Sequence, residues 1–188
     1  MESRGQVGER IFNEGLGSNE ENSWNENQQR EKRLLKISQA EYVKKVLKRF
    51  NMSDAKPVNV PLGGYFKLSK AQAPTTEDEK ALMSEVPHAS IVGSLMYAMI
   101  CTRPDIAQAV RVISRYMSNP EKEHWRVVKW ILRYLKGSSD MTLCYDGPDV
   151  YLHNYVDSGF VGNVDNRKST TGYVFILGSG AVSWVSRL

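Results

Sequence analysis

Four basic residues in the second half of the chain have the spacing of a nucleic-acid-binding surface. Intervals of three, four and three residues separate Arg126, Lys129, Arg133 and Lys136, so a helix would carry them on one face. Trp130 and Tyr134 lie among them. Such cations can pair with backbone phosphates while neighbouring rings stack on bases. The same spacing fits the solvated face of an ordinary amphipathic helix, and the residues alone leave both interpretations open.

One carboxylate, Asp157, has the position of a metal ligand. It follows an alternating apolar run over residues 151–156, which predicts a β-strand. A carboxylate held near a strand end can bind a divalent cation, but aspartates are also common where strands turn. Three further aspartates adjoin glycine, proline or asparagine and are predicted to lie in turns: Asp146, Asp149 and Asp165.

The histidines and cysteines show no ligand or catalytic spacing. His88, His124 and His153 are far apart in sequence and are predicted to be structural. Cys101 and Cys144 form no CxxC or Cys/His pattern. They are predicted to be buried, reduced thiols of an intracellular protein.

Bulk composition sets the class of protein. The 188 residues suffice for one domain or two small ones, and 41% apolar with 24% charged residues is typical of a globular protein. A net charge of +4 permits an anionic partner without requiring one. There is no signal-peptide pattern and no apolar run of about 18 residues. The chain is therefore predicted to be intracellular, in the cytoplasm or nucleus, rather than secreted or membrane-spanning.

Helical periodicity dominates the middle of the chain. Ser38 and Glu41 fit a capping box ahead of an amphipathic stretch, and Thr76 and Glu79 fit a second one. Residues 52–75 are rich in proline and glycine and predict an extended connector. Three further helices are predicted. One covers residues 89–102, the next begins at residue 102 and has a buried stripe, and the last covers residues 121–136. The predicted stripe consists of Ile106, Val110, Ile113 and Met117.

Alternating patterns follow Gly137 and predict strands. The runs are 141–145, 150–156, 173–177 and 181–185, with Gly178 and Ser179 in the turn of a hairpin. The predicted fold class is therefore α+β, with a helical block followed by an antiparallel sheet. Because the sequence stops just after a strand, the sheet is expected to be incomplete and the chain truncated.

The first 34 residues have a different composition from the rest. They are rich in Glu, Asn, Gln, Gly and Ser, which predicts disorder. Residues 13–29 also look frame-shifted. Trp has a single codon, so a one-base shift across Trp24 and Asn25 must produce a glycine triplet, and permitted codons for the whole stretch can encode a very different peptide.

From Leu35 onward the sequence resembles the reverse transcriptase to ribonuclease H junction of copia-type retrotransposon polyproteins. The matching stretches are LKISQAEYV (35–43), VGSLMYAMICTRPD (92–105), His124-Trp125, RYLKG (133–137) and RKSTTGYVF (167–175). The shifted peptide from residues 13–29 also resembles the family's preceding segment. The resemblance implies that residues 1–34 are a frame-shifted segment and that residues 35–137 form thumb and connection elements of the reverse transcriptase. Residues 138–188 would be the start of a ribonuclease H-like domain.

The resemblance also implies where catalytic groups would stand. Asp157 aligns with the family's first metal-binding aspartate, whereas the second is replaced by Gly159 and a later one by Asn163. The family's polymerase motif with paired aspartates is absent. Asp157 is thus expected to be a vestigial, single ligand. The parent polyprotein is implied to use Mg²⁺, whereas this chain is expected to need no cofactor and to be inactive alone.

The sequence leaves three functions open, beside the interpretation that the chain is a pseudogene product that never accumulates as a folded protein. An inactive fragment of a magnesium-dependent polymerase and nuclease polyprotein is the first expectation. A residual nucleic-acid-binding module is the second, with an RNA/DNA duplex as partner and Arg126, Lys129, Arg133 and Lys136 as its contacts. A co-opted structural protein that pairs through an open sheet edge is the third. The sequence assigns no oligomeric state.

Overall fold

The predicted α+β class is confirmed by a computed structural model, which describes residues 34–69, 74, 76–146, 151–159 and 169–187. The predictions of disorder and of a frame shift before Leu34 lie outside these residues. The helices in the described part are α1 (Ala40–Arg49), α2 (Glu77–Ser84), α3 (His88–Cys101), α4 (Ala107–Ser114) and α5 (Lys122–Gly137), with a 3-10 turn at Pro104–Ile106. The strands are β1 (Leu35–Ser38), β2 (Thr142–Tyr145), β3 (Leu152–Gly159), β4 (Thr170–Leu177) and β5 (Gly180–Arg187).

Helices α1, α3, α4 and α5 enclose one apolar core. Each contributes a stripe at the three- and four-residue intervals of an amphipathic helix. The fully buried side chains include Val43, Ile91, Leu95, Ile106, Val110, Ile113, Val127, Ile131, Leu132 and Leu135. The predicted stripe of α4 is confirmed except at Met117, which is 37% exposed because the helix ends at Ser114. Tyr116 takes the buried position instead.

Of the two capping boxes predicted from the sequence, one marks the start of a helix and the other does not. Thr76 and Glu79 form the predicted capping box, with the Glu79 amide 3.3 Å from the Thr76 hydroxyl. The box predicted at Ser38 and Glu41 is wrong. Ser38 is the last residue of β1, and pairing with Thr142 keeps its backbone extended. The Ser38 hydroxyl accepts from the Ala40 amide, and Gln39 is the N-cap, so the helix begins one residue later than a capping box at Ser38 requires.

The N-terminus of α5 is capped by Glu121 and His124. The Glu121 amide donates to Nδ1 of His124 at 3.0 Å, while the Glu121 side chain accepts from the His124 amide. The His124 ring also stacks on Tyr116, with 4.1 Å between ring centroids. These contacts give His124 the structural role predicted for it.

Two antiparallel sheets follow different pairings from those the sequence suggested. β2 pairs with β1, from Leu35 opposite Tyr145 to Ser38 opposite Thr142, and so lies outside the sheet formed by the later strands. That sheet has the order β3-β4-β5. Gly178 has a φ of +59° in the two-residue turn between β4 and β5, a position that favours glycine. The predicted hairpin is confirmed.

Candidate nucleic-acid interface

The connector after α1 lies along α5 and is held there by two side chains. The indole Nε1 of Trp130 donates to the carbonyl oxygen of Val60 at 2.9 Å. The Nε of Arg133 donates to the carbonyl oxygen of Lys56 at 2.6 Å. Gly137 allows close approach, because a Cβ there would lie 3.0 Å from Cβ of Pro57. The connector therefore forms one wall against the basic face of α5.

Three of the four predicted basic residues meet in a pocket between α5 and this connector. The pocket has a volume of about 300 Å³. Its lining consists of Met52, Tyr65, Phe66, Arg126, Lys129, Trp130 and Arg133. Lys136, the fourth predicted residue, is half-buried and does not line it. The arrangement brings positive charge and aromatic surface to one place.

The aromatic part of the pocket is a cluster of three rings. The ring centroids of Tyr65 and Phe66 are 4.5 Å apart, and each lies 5.6 Å from the Trp130 ring. The two contacts with Trp130 are edge-to-face, a geometry that aromatic pairs prefer. Tyr65 and Phe66 were not predicted, because a proline- and glycine-rich connector has no periodicity that marks a functional position. Two adjacent aromatic residues in such a segment were the available signal.

Each cation of the pocket has a neighbour on α5. Arg126 forms an ion pair with Glu123 at 2.8 Å, and hydrogen bonding and charge from Glu123 raise the pKa of Arg126. The Lys129 ammonium lies 5.6 Å from the Trp125 ring. The Arg133 guanidinium lies 5.1 Å from the Trp130 ring centre. An exposed ion pair of this type contributes little to stability, so a phosphate could replace Glu123 at little cost.

Tyr134, the second aromatic residue predicted beside the cations, belongs to a separate buried network. Its hydroxyl donates to Oδ2 of Asp105 at 2.7 Å. Arg103, which is 2% exposed, donates to both oxygens of Asp105 and to the carbonyl and hydroxyl oxygens of Ser138. Burial alone would raise the pKa of Asp105, but the hydrogen bonds from Arg103 and Tyr134 and the charge of Arg103 lower it. The network joins the turn before α4 to the end of α5.

Asp157 lies within β3, opposite Gly172, two residues before the strand ends. It borders a cleft of about 700 Å³ between α4 and the three-stranded sheet. Within the described ranges, the charged residues that share this lining are Asp105, Arg111 and Arg115. Asp105 is already bonded by Arg103, and the other two are cations. This donor set does not fit Mg²⁺, which needs several free oxygen ligands at one point.

Other candidate groups of the described residues add no chemistry. Within those ranges, no group of three or more His, Cys, Asp and Glu side chains is placed to hold a metal ion. The prediction that both thiols are buried is wrong. Cys101 is exposed at the end of α3 and Cys144 is half-buried, because both lie at the margins of the core. Among the described helices, none is long and apolar enough to cross a bilayer.

Sequence comparisons identify relatives over most of the chain. It is 56% identical, over 85% of its length, to a retrovirus-related Pol polyprotein from transposon TNT 1-94 of Nicotiana tabacum. It is 38% identical over 81% of its length to the polyprotein from transposon RE2 of Arabidopsis thaliana. The chain spans only 12% and 10% of these two polyproteins.

A shorter relative matches along most of its own length. It is the secreted RxLR effector protein 161 of Plasmopara viticola, which is 42% identical over 56% of this chain and 75% of that protein. No family model matches the sequence. No solved structure matches it either.

Proposed function

We propose that this chain, whose relatives include retrovirus-related Pol polyproteins of copia-type transposons, is a non-catalytic nucleic-acid-binding segment of such a polyprotein. Residues 35–137 correspond in this proposal to thumb and connection elements of the reverse transcriptase. Residues 138–188 correspond to the beginning of the ribonuclease H region. The observation that carries the binding role is the pocket in which Arg126, Lys129 and Arg133 meet the connector.

The physical case for backbone binding rests on accessible charge. The Arg126 side chain is 61% exposed, and its partner Glu123 competes only weakly. Lys129 and Arg133 line the same pocket wall. Cations at helical spacing can follow successive phosphates and release counterions on binding. An RNA/DNA duplex is the partner expected for this part of the parent polyprotein.

The binding experiment measures affinity against salt. Fluorescence anisotropy with a labelled 20-base-pair RNA/DNA hybrid is recorded from about 50 to about 200 mM salt, where phosphate contacts weaken steeply. Replacing Arg126 or Lys129 by Gln should lower affinity and reduce the logarithmic salt slope by about one. Lys80→Gln is the matched control, because Lys80 forms the same i, i+3 ion pair with Glu77 on α2, away from the pocket. Equal effects of all three substitutions would contradict the proposal.

The non-catalytic part of the proposal rests on the surroundings of Asp157. Among the described residues of its cleft, it is joined by cations and by the already bonded Asp105, so these residues offer a two-metal mechanism no second free carboxylate. The test is incubation with an RNA/DNA hybrid and magnesium. Cleavage that is present in the wild-type chain and absent in Asp157→Asn would overturn it.

A second candidate function is self-association through the edge of the three-stranded sheet. Among the described strands, β3 pairs with β4 alone. It exposes Leu152, Tyr155 and Val156, each by more than 60%, and an exposed apolar edge can pair with another strand. Sedimentation velocity at rising protein concentration tests it. A dimer that Val156→Lys abolishes would favour this function over nucleic-acid binding, and a monomer at all concentrations would exclude it.

A further inference from the structure

We infer that the pocket between α5 and the connector accepts a single unpaired nucleotide, with the base stacked on Tyr65 and the phosphate near Arg126 and Lys129. This inference rests on the proposed nucleic-acid binding and names its substrate more closely. It changes the preferred ligand from a continuous duplex to a single strand or an overhanging end. Backbone binding alone would need the cations but not the aromatic cluster.

Tyr65 has the properties of a stacking platform. Its ring is held from two sides, by Phe66 at 4.5 Å and by the edge-on Trp130 ring at 5.6 Å with an interplanar angle of 89°. The residue is nevertheless 62% exposed. Gly63 provides the room for this ring, because a Cβ there would lie 2.6 Å from Cε1 of Tyr65. A ring that is oriented in advance and open to solvent loses little entropy when a base stacks on it.

Trp130 serves the pocket in a different way. Its Nε1 is bonded to Val60, and the Arg133 guanidinium lies over its ring. Arg133 is in turn bonded to the carbonyl oxygen of Lys56. Trp130 is thus a support that carries Tyr65 and Arg133, which leaves Tyr65 as the ring with open surface for a ligand.

The size of the pocket and the chemistry of bases favour an unpaired ligand. A volume of about 300 Å³ lies at the lower end of the range for small-molecule sites. In a duplex both faces of each base are covered by neighbouring pairs, whereas an unpaired base can leave the stack and present a face to an aromatic side chain. Stacking of this kind tolerates any base, so little sequence preference is expected.

The experiment compares two ligands and separates stacking from charge. Anisotropy titrations use a ten-nucleotide oligo(dT) and a blunt 20-base-pair RNA/DNA hybrid at the same salt concentration. Tyr65→Ala should weaken oligo(dT) binding by about fivefold or more, Tyr65→Phe should retain it, and binding of the blunt hybrid should change by less than about twofold. Gly63→Ala, which displaces the ring without removing it, should also weaken oligo(dT) binding. Tyr151→Ala is the control, because Tyr151 is comparably exposed, at 66%, and lies outside the pocket.

The outcomes distinguish this inference from the function on which it rests. If the wild-type chain binds neither ligand, the proposed function fails and the inference fails with it. If it binds both and Tyr65→Ala weakens both equally or neither, backbone binding stands and the nucleotide pocket is wrong. Selective loss of oligo(dT) binding in both Tyr65→Ala and Gly63→Ala, with Tyr65→Phe unaffected, supports the pocket.

Discussion

The indole of Trp130 and the backbone carbonyl of Val60 are joined by a 2.9 Å hydrogen bond across 70 residues of sequence. This bond lies at the centre of the candidate site. It fixes the ring that Tyr65 and Phe66 contact, and it holds the connector against the helix that carries the cations. The pocket therefore depends on a contact between a regular helix and an irregular segment.

Trp130→Phe should loosen the connector while leaving α5 intact. The change removes the donor to Val60 and part of the ring contact, and we expect a loss of about 1–2 kcal/mol in unfolding free energy. Hydrogen–deuterium exchange should speed up over residues 52–69. Trp125→Phe makes the same chemical change on the same helix outside the pocket lining, and should leave exchange in the connector unchanged. Equal exchange in the two variants would show that the bond does not hold the connector.

Arg103→Gln should be strongly destabilising. Arg103 is 2% exposed and pairs with Asp105 at 2.7 Å, so its removal leaves a carboxylate without its cation and Ser138 without its donors. Breaking a buried pair in this way typically costs about 3–5 kcal/mol, measured here by urea denaturation. Lys80→Gln removes a cation from the exposed pair with Glu77 and should change stability by less than about 1 kcal/mol. If Arg103→Gln lowers the free energy of unfolding as little as Lys80→Gln does, the network contributes little to stability.

Acid should destabilise the helical core through His88. Burial, with a smaller effect from the nearby His124, lowers the pKa of His88 from 6.5 to about 4. The unfolded chain therefore binds a proton that the folded chain excludes, and stability falls as pH decreases from about 6.5 towards 4. The loss in free energy of unfolding at pH 4 should approach about 3 kcal/mol, because one unit of pKa difference corresponds to about 1.4 kcal/mol.

Urea denaturation at several pH values between 7 and 4 measures this effect. His88→Leu should flatten the dependence in that window, whatever its effect on stability at pH 7. Asp105 adds a second pH dependence of stability with the same sign. Because its pKa is lower in the folded chain, its protonation at low pH reduces the free energy of unfolding. That loss persists in His88→Leu. An unchanged slope between pH 6.5 and 4 in His88→Leu would refute the assignment to His88.

Gly180→Ala should weaken the packing of β5 against β2, which joins the two sheets. A Cβ at Gly180 would overlap the Tyr145 ring and the carbonyl oxygen of Cys144, and the Tyr145 hydroxyl donates to Ala181 nearby. Because one obstacle is backbone, the clash cannot be relieved by a rotamer change alone, and we expect a loss of about 1–3 kcal/mol. Thermal unfolding measures it. Gly64→Ala is the control, since nothing lies within 4 Å of a Cβ there. Equal stability of the two variants would contradict the prediction.

The helices were predictable because their signals are local. The apolar spacing of residues 121–136 predicted α5 to within one residue at each end, and the Thr76 capping box was predicted correctly. Both depend on residues within a few positions of each other. Ser38 and Glu41 have the same local pattern, yet β-pairing with Thr142 overrides it. A capping signal competes with any partner strand that comes from elsewhere in the chain.

The sequence by itself determined the α+β class, the amphipathic helices and the helical face that carries Arg126, Lys129 and Arg133. Their relation to Tyr65 and Phe66, the pairing of β1 with β2 and the enclosure of Arg103 were decided by tertiary structure alone. The physical reason is range. Periodicity and capping act over a few residues, whereas these contacts join segments 35 to 110 positions apart. No local pattern specifies which distant segment will cover a given face.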